Sequence, residues 1–334
     1  MNWFQAITGF AERPYFETQR RLRVVMGQLA SDASTRMFSV GSLETPSLGE
    51  LRVRTAHLTH AGPCRVSIVR GGVRRMHAEA ENAGALFQVA SQFNLLEMIS
   101  PDVSPEDGVA RYESDRTQGP ACAMAAGAAT IFRNYLVRFP DGGIGQTRER
   151  QIDCLRELGH ALGNESGSLW RMQNGYALFS PEGLATVDRH LAGAGEERID
   201  ALRCLLRIGV HWGVGLTDVE PGPTVSQAFC SALPVSYNRI AGVAPWRRFA
   251  TLVLEAAYEA TLRAGWLTAA RGGSQRVFLT RLGGGAFGNE AQWIDAAIRR
   301  ALRQARGWPL DVRIVSYGEP DESLTQLACD FSGT

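Results

Sequence analysis

The C-terminal third of this 334-residue chain has the pattern that most restricts the fold. Apolar residues recur at steps of three and four from 249 to 267, which predicts a long helix with one buried face. A strand at 276–280, a glycine-rich loop, a second amphipathic helix over 294–302 and a strand at 311–316 follow. This alternation predicts an α/β fold in which helices flank a sheet. No internal repeat or low-complexity linker interrupts the chain, so we expect a single domain over residues 1–334.

The glycine-rich loop after the strand at 276–280 is the first candidate site. Glycine lets backbone N–H groups approach a ligand with no Cβ in the way. The start of a helix carries free N–H donors and positive potential, which suit a phosphate. The alternative is a plain tight turn. We expect Asn289 to cap the following helix. The predicted ligand-binding residues are Gly283, Gly284, Gly285, Ala286, Phe287, Gly288 and Asn289.

A second candidate site precedes an alanine-rich helix, which is expected over 120–136. The first turn of such a helix offers unpaired N–H donors. Asp107 and Asp115 lie upstream, and carboxylates near an anion site are unfavourable unless they polarise water or hold a cation. Both are therefore candidate catalytic residues; the alternative is that Asp115 only orders the turn. The predicted binding residues here are Thr117, Gln118 and Gly119.

Residues 80–118 are rich in Asn, Gln, Asp and Ser and show little periodicity, which is typical of a long functional loop. Side-chain amides both donate and accept hydrogen bonds, so they suit ribose hydroxyls and base edges. The alternative is that they bond the backbone of their own loop. The predicted binding residues are Asn82, Gln88 and Asn94. Further along, a single strand is expected at 169–178 and a buried strand at 208–216.

Composition excludes several function classes. A formal net charge of +1 gives no basic excess for nucleic acid, and no apolar run is long enough to predict a membrane span. The six cysteines form no Cys-x-x-Cys pair, which favours free thiols in a reducing compartment over disulfides or a metal site. The N-terminus lacks the pattern of a secretory signal peptide. We therefore expect a cytoplasmic protein with no bound metal.

Four segments resemble one known family. The stretch VFLTRLGGGAFGN, with the helix and the strand DVRIVS after it, resembles the second phosphate-binding loop of macrodomains, which wraps the diphosphate of ADP-ribose. ENAGALFQVASQFNLLEMISPD and the helix FATLVLEAAYEATLRAG resemble the poly(ADP-ribose) glycohydrolase-like branch. Together with YESDRTQGPACAMAAGAAT, they make the chain most similar to MavL-type macrodomain hydrolases, which remove ADP-ribose from arginine on ubiquitin. The resemblance covers roughly residues 65–135 and 245–316.

The resemblance implies a macrodomain-like, three-layer mixed sheet flanked by helices, with extra N-terminal and central helical elements. Residues 1–62 would be an N-terminal extension, and 136–245 a family-specific substrate region. It implies an ADP-ribosyl hydrolase that requires no cofactor, with ADP-ribose as ligand and product and an ADP-ribosylated protein, ubiquitin, as partner. Neither nucleic acid nor a membrane is expected as a partner. Delivery into a host cytosol as an effector would also fit.

The resemblance also implies residue roles. Gly283 to Gly288 would bind the diphosphate, and Phe287 would contact the ribose next to the scissile bond. Gln88, Asn94, Thr117 and Gln118 would line the ribose and phosphate region.

The sequence departs from the branch at one point: Phe93 and Asn94 stand where the branch has paired glutamates. Asp107 and Asp115 are therefore the candidate acid–base groups. Two alternatives stay open: a reader that binds ADP-ribose without chemistry, and a glycohydrolase of poly(ADP-ribose) or of serine-linked ADP-ribose.

Overall fold

The computed structural model describes residues 1–59, 62–219, 222–238, 240 and 242–331. The strands are β1 Leu22–Val25, β2 Gln28–Ser31, β3 Phe38–Ser39, β4 Ser42–Glu44, β5 Arg65–Arg70, β6 Leu86–Ala90, β7 Trp170–Gln173, β8 Tyr176–Phe179, β9 Gly209–Gly215, β10 Thr224–Cys230, β11 Arg276–Leu279 and β12 Asp311–Ser316. The helices are α1 Trp3–Thr8, α2 Tyr15–Arg20, α3 Leu48–Thr55, α4 Val73–Ala78, α5 Gln118–Ala125, α6 Gly127–Tyr135, α7 Arg156–Leu162, α8 Pro181–Ala192, α9 Glu196–Leu205, α10 Arg247–Ala270, α11 Ala291–Gln304 and α12 Glu322–Cys329. Short 3-10 turns cover Ala80–Asn82, Pro105–Asp107, Ala110–Ser114, Val235–Tyr237 and Ala244–Trp246. None of the helices within these ranges is long and apolar enough to cross a membrane.

Seven strands form the central sheet, in the order β4-β9-β10-β6-β11-β12-β5. The strands from β10 to β5 pair in parallel, whereas β9 is antiparallel to β10 and to β4. Parallel strands need crossover connections, which usually place helices on the faces of the sheet. The expected mixed α/β sheet flanked by helices is confirmed. The segment 136–245 supplies β9 and β10 to this sheet, so part of it belongs to the core of the fold.

Strand β6 shows how the sheet is covered on both faces. Successive side chains of a strand point to opposite faces. Phe87 stacks on the His77 ring of α4, whereas Gln88 donates to the Thr261 hydroxyl of α10. On the neighbouring β10, Gln227 contacts both His77 and the Cys122 carbonyl of α5. Helices α4 and α5 therefore cover one face and α10 covers the other, which gives three layers.

The predicted long helix is confirmed as α10, whose small residues allow close packing on the sheet. A Cβ at Gly265 would overlap the Val277 side chain of β11. Gly265 therefore allows α10 to lie directly against β11.

The N-terminal residues pack on the outer side of α5 and α6. Strands β1, β2 and β3 form a small antiparallel sheet, and α1 contributes to a second apolar cluster with residues of α6. Leu96 and Met98 belong to this second cluster, whereas Leu95 belongs to the main core. The segment after β6 is therefore anchored on both sides, which fixes the backbone at residue 97.

Two expectations about local structure are wrong. Residues 80–118 are not one long loop, because they contain β6 in the middle of the sheet. This strand is buried on both faces, so its sequence shows no alternation. The expected single strand at 169–178 is a hairpin of β7 and β8, joined by Asn174 and Gly175 with φ of 47° and 80°. Positive φ at both turn residues is the pattern of a type I′ turn.

The helix expected over 120–136 breaks at Ala126 into α5 and α6. The Gly127 N–H donates to the Thr217 hydroxyl, and the Thr217 N–H donates to the Ala125 carbonyl. The segment that follows β9 thus takes over hydrogen bonds that a continuous helix would use.

Candidate active site

A cleft lies where the parallel strands β6, β10 and β11 end. The carboxyl ends of parallel strands meet at one edge of a sheet, and this is where ligands commonly bind in α/β folds. The cleft has a volume of about 290 Å³, close to the lower end of the range of small-molecule sites. It is lined by residues 90–92, 97–99, 115, 117–120, 176, 230, 232, 237, 280–283 and 285–287.

The glycine loop forms one wall of the cleft. None of the hydrogen bonds among the described residues uses the backbone N–H of Gly285, Ala286 or Phe287, and all three residues line the cleft. The loop is fixed from behind, since the Ser236 N–H donates to the Phe287 carbonyl at 3.0 Å. Gly288 has a φ of 72°, and a Cβ there would collide with the Ser236 hydroxyl. The wall therefore presents amide donors on a constrained backbone.

The first turn of α5 forms another wall. The N-cap residue Thr117 makes no side-chain cap, so the first N–H groups of the helix keep their donor capacity. The Gln118 side chain holds this turn to β6, accepting from the Ala90 N–H at 2.9 Å and donating to the Gln88 carbonyl at 2.8 Å. The two predicted phosphate-binding segments are thus brought into one cleft.

Asp115 lies half-buried at the start of that wall. Its Oδ1 accepts from the Thr117 N–H at 2.8 Å and from the Thr117 hydroxyl at 2.7 Å, so this oxygen orders the turn. Among the described residues no hydrogen bond reaches Oδ2. The carboxylate can therefore hold the turn and still present one oxygen to a ligand.

Glu97 is a carboxylate of the cleft that sequence reasoning missed. Its side chain is only 1% exposed, and its Oε1 lies 3.3 Å from Nη2 of Arg133 on α6. Its Oε2 is buried and has no hydrogen-bond partner among the described residues. Burial raises the pKa of Glu97 to about 7, although the charge of Arg133 acts in the opposite direction. A buried carboxyl with a perturbed pKa in a cleft is typical of a functional group.

Three aromatic rings form an apolar wall beside the glycine loop. Phe287 lies 5.4 Å from Tyr176 and 5.6 Å from Tyr237, measured between ring centroids. The Tyr176 hydroxyl donates to the Met98 carbonyl, which ties β8 to the segment that carries Glu97. Rings of this kind can stack on a nucleobase or cover a ribose.

Arg281 is the one cation among the described lining residues. Its guanidinium pairs with Asp295 at 3.0 Å and also with Asp321. The arginine is therefore held in place at the base of the glycine loop, where it can still interact with an anion.

Four predicted site residues outside the glycine loop lie away from the cleft lining. Asp107 closes a capping box, in which its Oδ2 accepts from the N–H and the hydroxyl of Ser104, both at 2.8 Å. Partial burial opposes ionisation, yet these bonds hold the pKa of Asp107 below its usual value. Asn82 precedes β6 at its other end and donates to the Met76 carbonyl. Gln88 points to α10, and Asn94 is buried against Leu96 and Gln151. The structure therefore does not bring Asp107, Asn82, Gln88 or Asn94 to the ligand cleft.

Asn289 does not cap α11, contrary to expectation. Helix α11 begins at Ala291, and its N-cap Glu290 makes no side-chain cap. The Asn289 Nδ2 donates instead to the Leu233 carbonyl at 2.8 Å, which ties the glycine loop to the segment after β10. Asn289, Gly284 and Gly288 do not line the cleft, and Asn289 and Gly288 pack behind it.

Sequence reasoning missed Glu97 and the two tyrosines of the aromatic wall. Glu97 stands in an apolar run, Leu95, Leu96, then Met98 and Ile99, and a lone acidic residue in such a run is itself a signal. The Asn174–Gly175 dipeptide signals the hairpin that carries Tyr176. We find no local signal for Tyr237.

Comparison with known proteins gave matches only among solved structures. No protein-family model and no curated protein matches the chain. The poly(ADP-ribose) glycohydrolase from Thermomonospora curvata is 14% identical, with 87% of this chain and 85% of that chain covered and a TM-score of 0.44. The enzyme from Deinococcus radiodurans in complex with ADP-ribose is 15% identical, with 86% and 92% covered and a TM-score of 0.42. The Thermomonospora curvata enzyme bound to the inhibitor ADP-HPD is 13% identical, with 87% and 84% covered and a TM-score of 0.43. Identities and TM-scores of this size do not establish a family or an activity for this chain.

Proposed function

We propose that this protein is an ADP-ribosyl hydrolase that removes mono-ADP-ribose from a modified protein. The proposed linkage is to arginine, and the proposed carrier is ubiquitin. The linkage and the carrier are suggested by the resemblance of residues 112–130, together with the other matching segments, to MavL-type hydrolases.

The main support is the meeting of two sets of amide donors in one cleft. Gly285, Ala286 and Phe287 of the glycine loop and the uncapped first turn of α5 line the same space. Backbone N–H groups and the positive end of a helix favour anionic oxygens. A diphosphate has several such oxygens and can engage both segments at once.

The rest of the cleft suits the sugars and base of ADP-ribose. Tyr176, Tyr237 and Phe287 give apolar rings beside the donors, and such rings suit a base or the face of a ribose. Asp115 lies half-buried just before α5, and one of its oxygens accepts no hydrogen bond from the described residues. A carboxylate at that position can attract the cationic guanidinium of a modified arginine.

The proposed reaction is attack of water at ribose C1″ with release of the guanidine nitrogen. Glycosidic bonds break through a transition state with positive charge on the sugar ring, which nearby carboxylates stabilise. Asp115 would bind the guanidinium of the modified arginine before the bond breaks and stabilise the positive charge on the sugar ring. Fixing the diphosphate would position C1″ for attack.

The experiment is incubation of the protein with ubiquitin that carries ADP-ribose on arginine, with free ADP-ribose quantified by chromatography. We expect release by the wild type, and a loss of roughly 10²–10⁴-fold in Asp115→Ala, the range for positioned catalytic groups. ADP-ribose should still bind this variant in calorimetry. Glu113→Ala, which removes an exposed carboxylate outside the cleft lining, is the matched control.

Three outcomes would change the proposal. Binding of ADP-ribose with no release from any substrate would make the protein a reader. Release only from serine-linked ADP-ribose or from poly(ADP-ribose) would reject the arginine linkage. Release by Asp115→Ala at the wild-type rate would remove Asp115 from the mechanism.

A further inference from the structure

We propose that Glu97 is the general base that takes the proton from the attacking water, with Arg133 as the residue that positions it. This inference rests on the proposed hydrolase function. It names a catalytic residue other than the candidates Asp107 and Asp115, at a position other than 93 and 94, where the resembling branch has its paired glutamates.

The first support is an unsatisfied oxygen. Buried polar atoms in proteins nearly always have a hydrogen-bond partner, so an exception asks for an explanation. Glu97 Oε2 has none among the described residues, and Glu97 lines the cleft. Its Cγ lies against the first turn of α5, where a Cβ at Gly119 would approach it to 3.1 Å. A water molecule or a ligand hydroxyl bound at this turn would satisfy that oxygen.

The second support is the way in which Glu97 is held. Arg133 is fully buried, donates to the Leu95 carbonyl at 3.1 Å and lies 3.8 Å above the ring of Phe229. Its contact with Glu97 Oε1 is long, at 3.3 Å, and its Nη1 has no partner among the described residues. A buried ion pair with incomplete hydrogen bonding contributes little to stability. A purely structural role therefore explains this pair poorly.

The third support is that the Glu97 carboxyl can gain and lose its proton near neutral pH. The pKa of this carboxyl is raised to about 7 by burial, so both forms are populated near neutral pH. The groups that face it are Arg133 from α6, Tyr112 from the turn Ala110–Ser114, and Cys122 from α5. Burial raises the pKa values of Tyr112 and Cys122 well above their ordinary values, so neither changes charge near pH 7. Burial lowers the pKa of Arg133, against the charge of Glu97.

Two more charged groups, Asp115 and Arg281, face the same cleft. The raised pKa of Glu97 brings the titration of this lining carboxyl near neutral pH.

The chemistry of the arginine linkage needs a base more than an acid. The modified guanidinium is already cationic, and as the C1″–nitrogen bond breaks it departs as a neutral guanidine. Guanidine is a strong base, since the pKa of its conjugate acid is above about 12. As the bond from the water oxygen to C1″ forms, Glu97 Oε2 takes one water proton, and this proton then passes to the guanidine. The products are ADP-ribose and an arginine guanidinium, and the carboxylate of Glu97 is restored.

The first measurement uses the wild type alone. The value of kcat/KM for release of ADP-ribose from arginine-modified ubiquitin should rise about tenfold per pH unit on the acid side and level off above the pKa of Glu97. A flat profile between pH 5.5 and 8.5 would overturn the role of Glu97 as base.

The second measurement uses Glu97→Gln, which keeps the size of the side chain and removes its proton affinity. We expect turnover to fall by roughly 10²–10⁴-fold, the acid limb to disappear, and ADP-ribose to bind within about threefold of the wild type by calorimetry. Glu113→Gln is the matched control and should keep the wild-type profile.

Failure of this inference can be distinguished from failure of the proposed function. If the wild type releases ADP-ribose and Glu97→Gln keeps both rate and acid limb, Glu97 is not the base. If the wild type releases nothing from any linkage, the proposed hydrolase function itself fails. Loss of turnover together with loss of ADP-ribose binding in Glu97→Gln would assign Glu97 to binding and overturn its role as base.

Discussion

Two buried glutamates of this protein, Glu97 and Glu259, differ in how well arginine partners compensate their carboxylates. Glu97 and Glu259 both have side chains that are 1% exposed. The Glu259 carboxylate on α10 contacts Arg52, Arg263 and Arg300 at 2.7, 2.9 and 2.9 Å. The Glu97 carboxylate meets one arginine at 3.3 Å and keeps one oxygen without a partner among the described residues.

The pKa values follow from these contacts. Burial acts to raise the pKa of Glu259, but hydrogen bonds from Arg52 and Arg300 outweigh it and leave the pKa below its usual value. Burial of Glu97 is compensated by only one arginine, and its pKa rises to about 7. Burial alone therefore does not mark a functional carboxylate. Our proposal assigns function to a carboxylate that lines a cleft and has unmet hydrogen-bonding capacity, and the following predictions test this contrast.

The largest expected effect on stability belongs to Glu259. Glu259→Ala leaves three arginines without their shared counter-charge, and removal of one partner of a buried pair costs about 3–5 kcal/mol. Because the arginine side chains are 16–23% exposed, we expect the lower end, about 3 kcal/mol. Urea unfolding measures this, and the kcat of the folded fraction should not change. An equal loss of stability in Glu97→Gln would remove the contrast.

The pH dependence of stability should have opposite sign at the two sites. Glu97 has a pKa of about 7 in the fold and 4.5 ordinarily, so the folded state holds its proton more tightly. The protonated Glu97 carboxyl makes its full contribution to the free energy of unfolding below pH 4.5. This contribution is lost as the pH rises through 7, and the loss is roughly 2–3 kcal/mol between pH 5 and 8. Glu259, with a lowered pKa, contributes above its ordinary pKa of 4.5 and loses that contribution as the solution becomes more acidic.

Urea unfolding of the wild type and Glu97→Gln at pH 5 and pH 8 measures the Glu97 term, and unfolding of the wild type and Glu259→Gln at pH 5 and at about pH 3 measures the Glu259 term. The wild type should lose stability relative to Glu97→Gln as the pH rises. A difference that stays constant across this range would mean that Glu97 is not held protonated by the fold.

A smaller effect is expected at the glycine loop. Gly288→Ala introduces a residue at a φ of 72° and a collision with Ser236, which strains the backbone by about 1–2 kcal/mol. We expect about tenfold weaker binding of ADP-ribose in calorimetry, because the loop amides shift. Gly272→Ala is the control, since Gly272 has a φ of 81° but no neighbour within 4 Å of its Cβ position. Equal binding by both variants would mean that the loop does not hold the ligand.

The smallest effect is expected at the aromatic wall. Tyr237→Leu removes a ring that packs on Phe287 and Tyr176, and aromatic pairs contribute about 0.5–1.5 kcal/mol beyond their buried area. Affinity for ADP-ribose should fall about 3- to 10-fold. The exposed Tyr317 offers the control Tyr317→Leu, which should bind as the wild type does.

The sequence predicts the parts of the fold whose signal is local. Helix α10, strand β11, the glycine loop and strand β12 follow one another with clear periodicity and breaks, and all were expected. Strand β6 was missed because both of its faces are buried, so its sequence does not alternate. Strand β10, which pairs with it, was missed as well.

The candidate site divides in the same way. The glycine loop and the start of α5 are short contiguous segments that carry their own signal, and both line the cleft. Glu97 and Arg133 are 36 residues apart, and only the packing of α6 beside the segment after β6 brings them together. Asp107 illustrates the converse, since its position upstream of an anion site made it a candidate catalytic residue, yet its carboxylate caps a local turn. The partner of Asp107 is Ser104, three residues before it, which is the spacing of a capping box, whereas the partner of Glu97 is set by tertiary contacts that local spacing does not encode.

The most direct measurement is a crystal structure with ADP-ribose. The account predicts that the pyrophosphate oxygens lie within hydrogen-bonding distance of the N–H groups of Gly285, Ala286 or Phe287 and of the first turn of α5, with C1″ near Glu97 and Asp115. Crystals in which ADP-ribose binds elsewhere, or binds here with its pyrophosphate away from both segments, would contradict it.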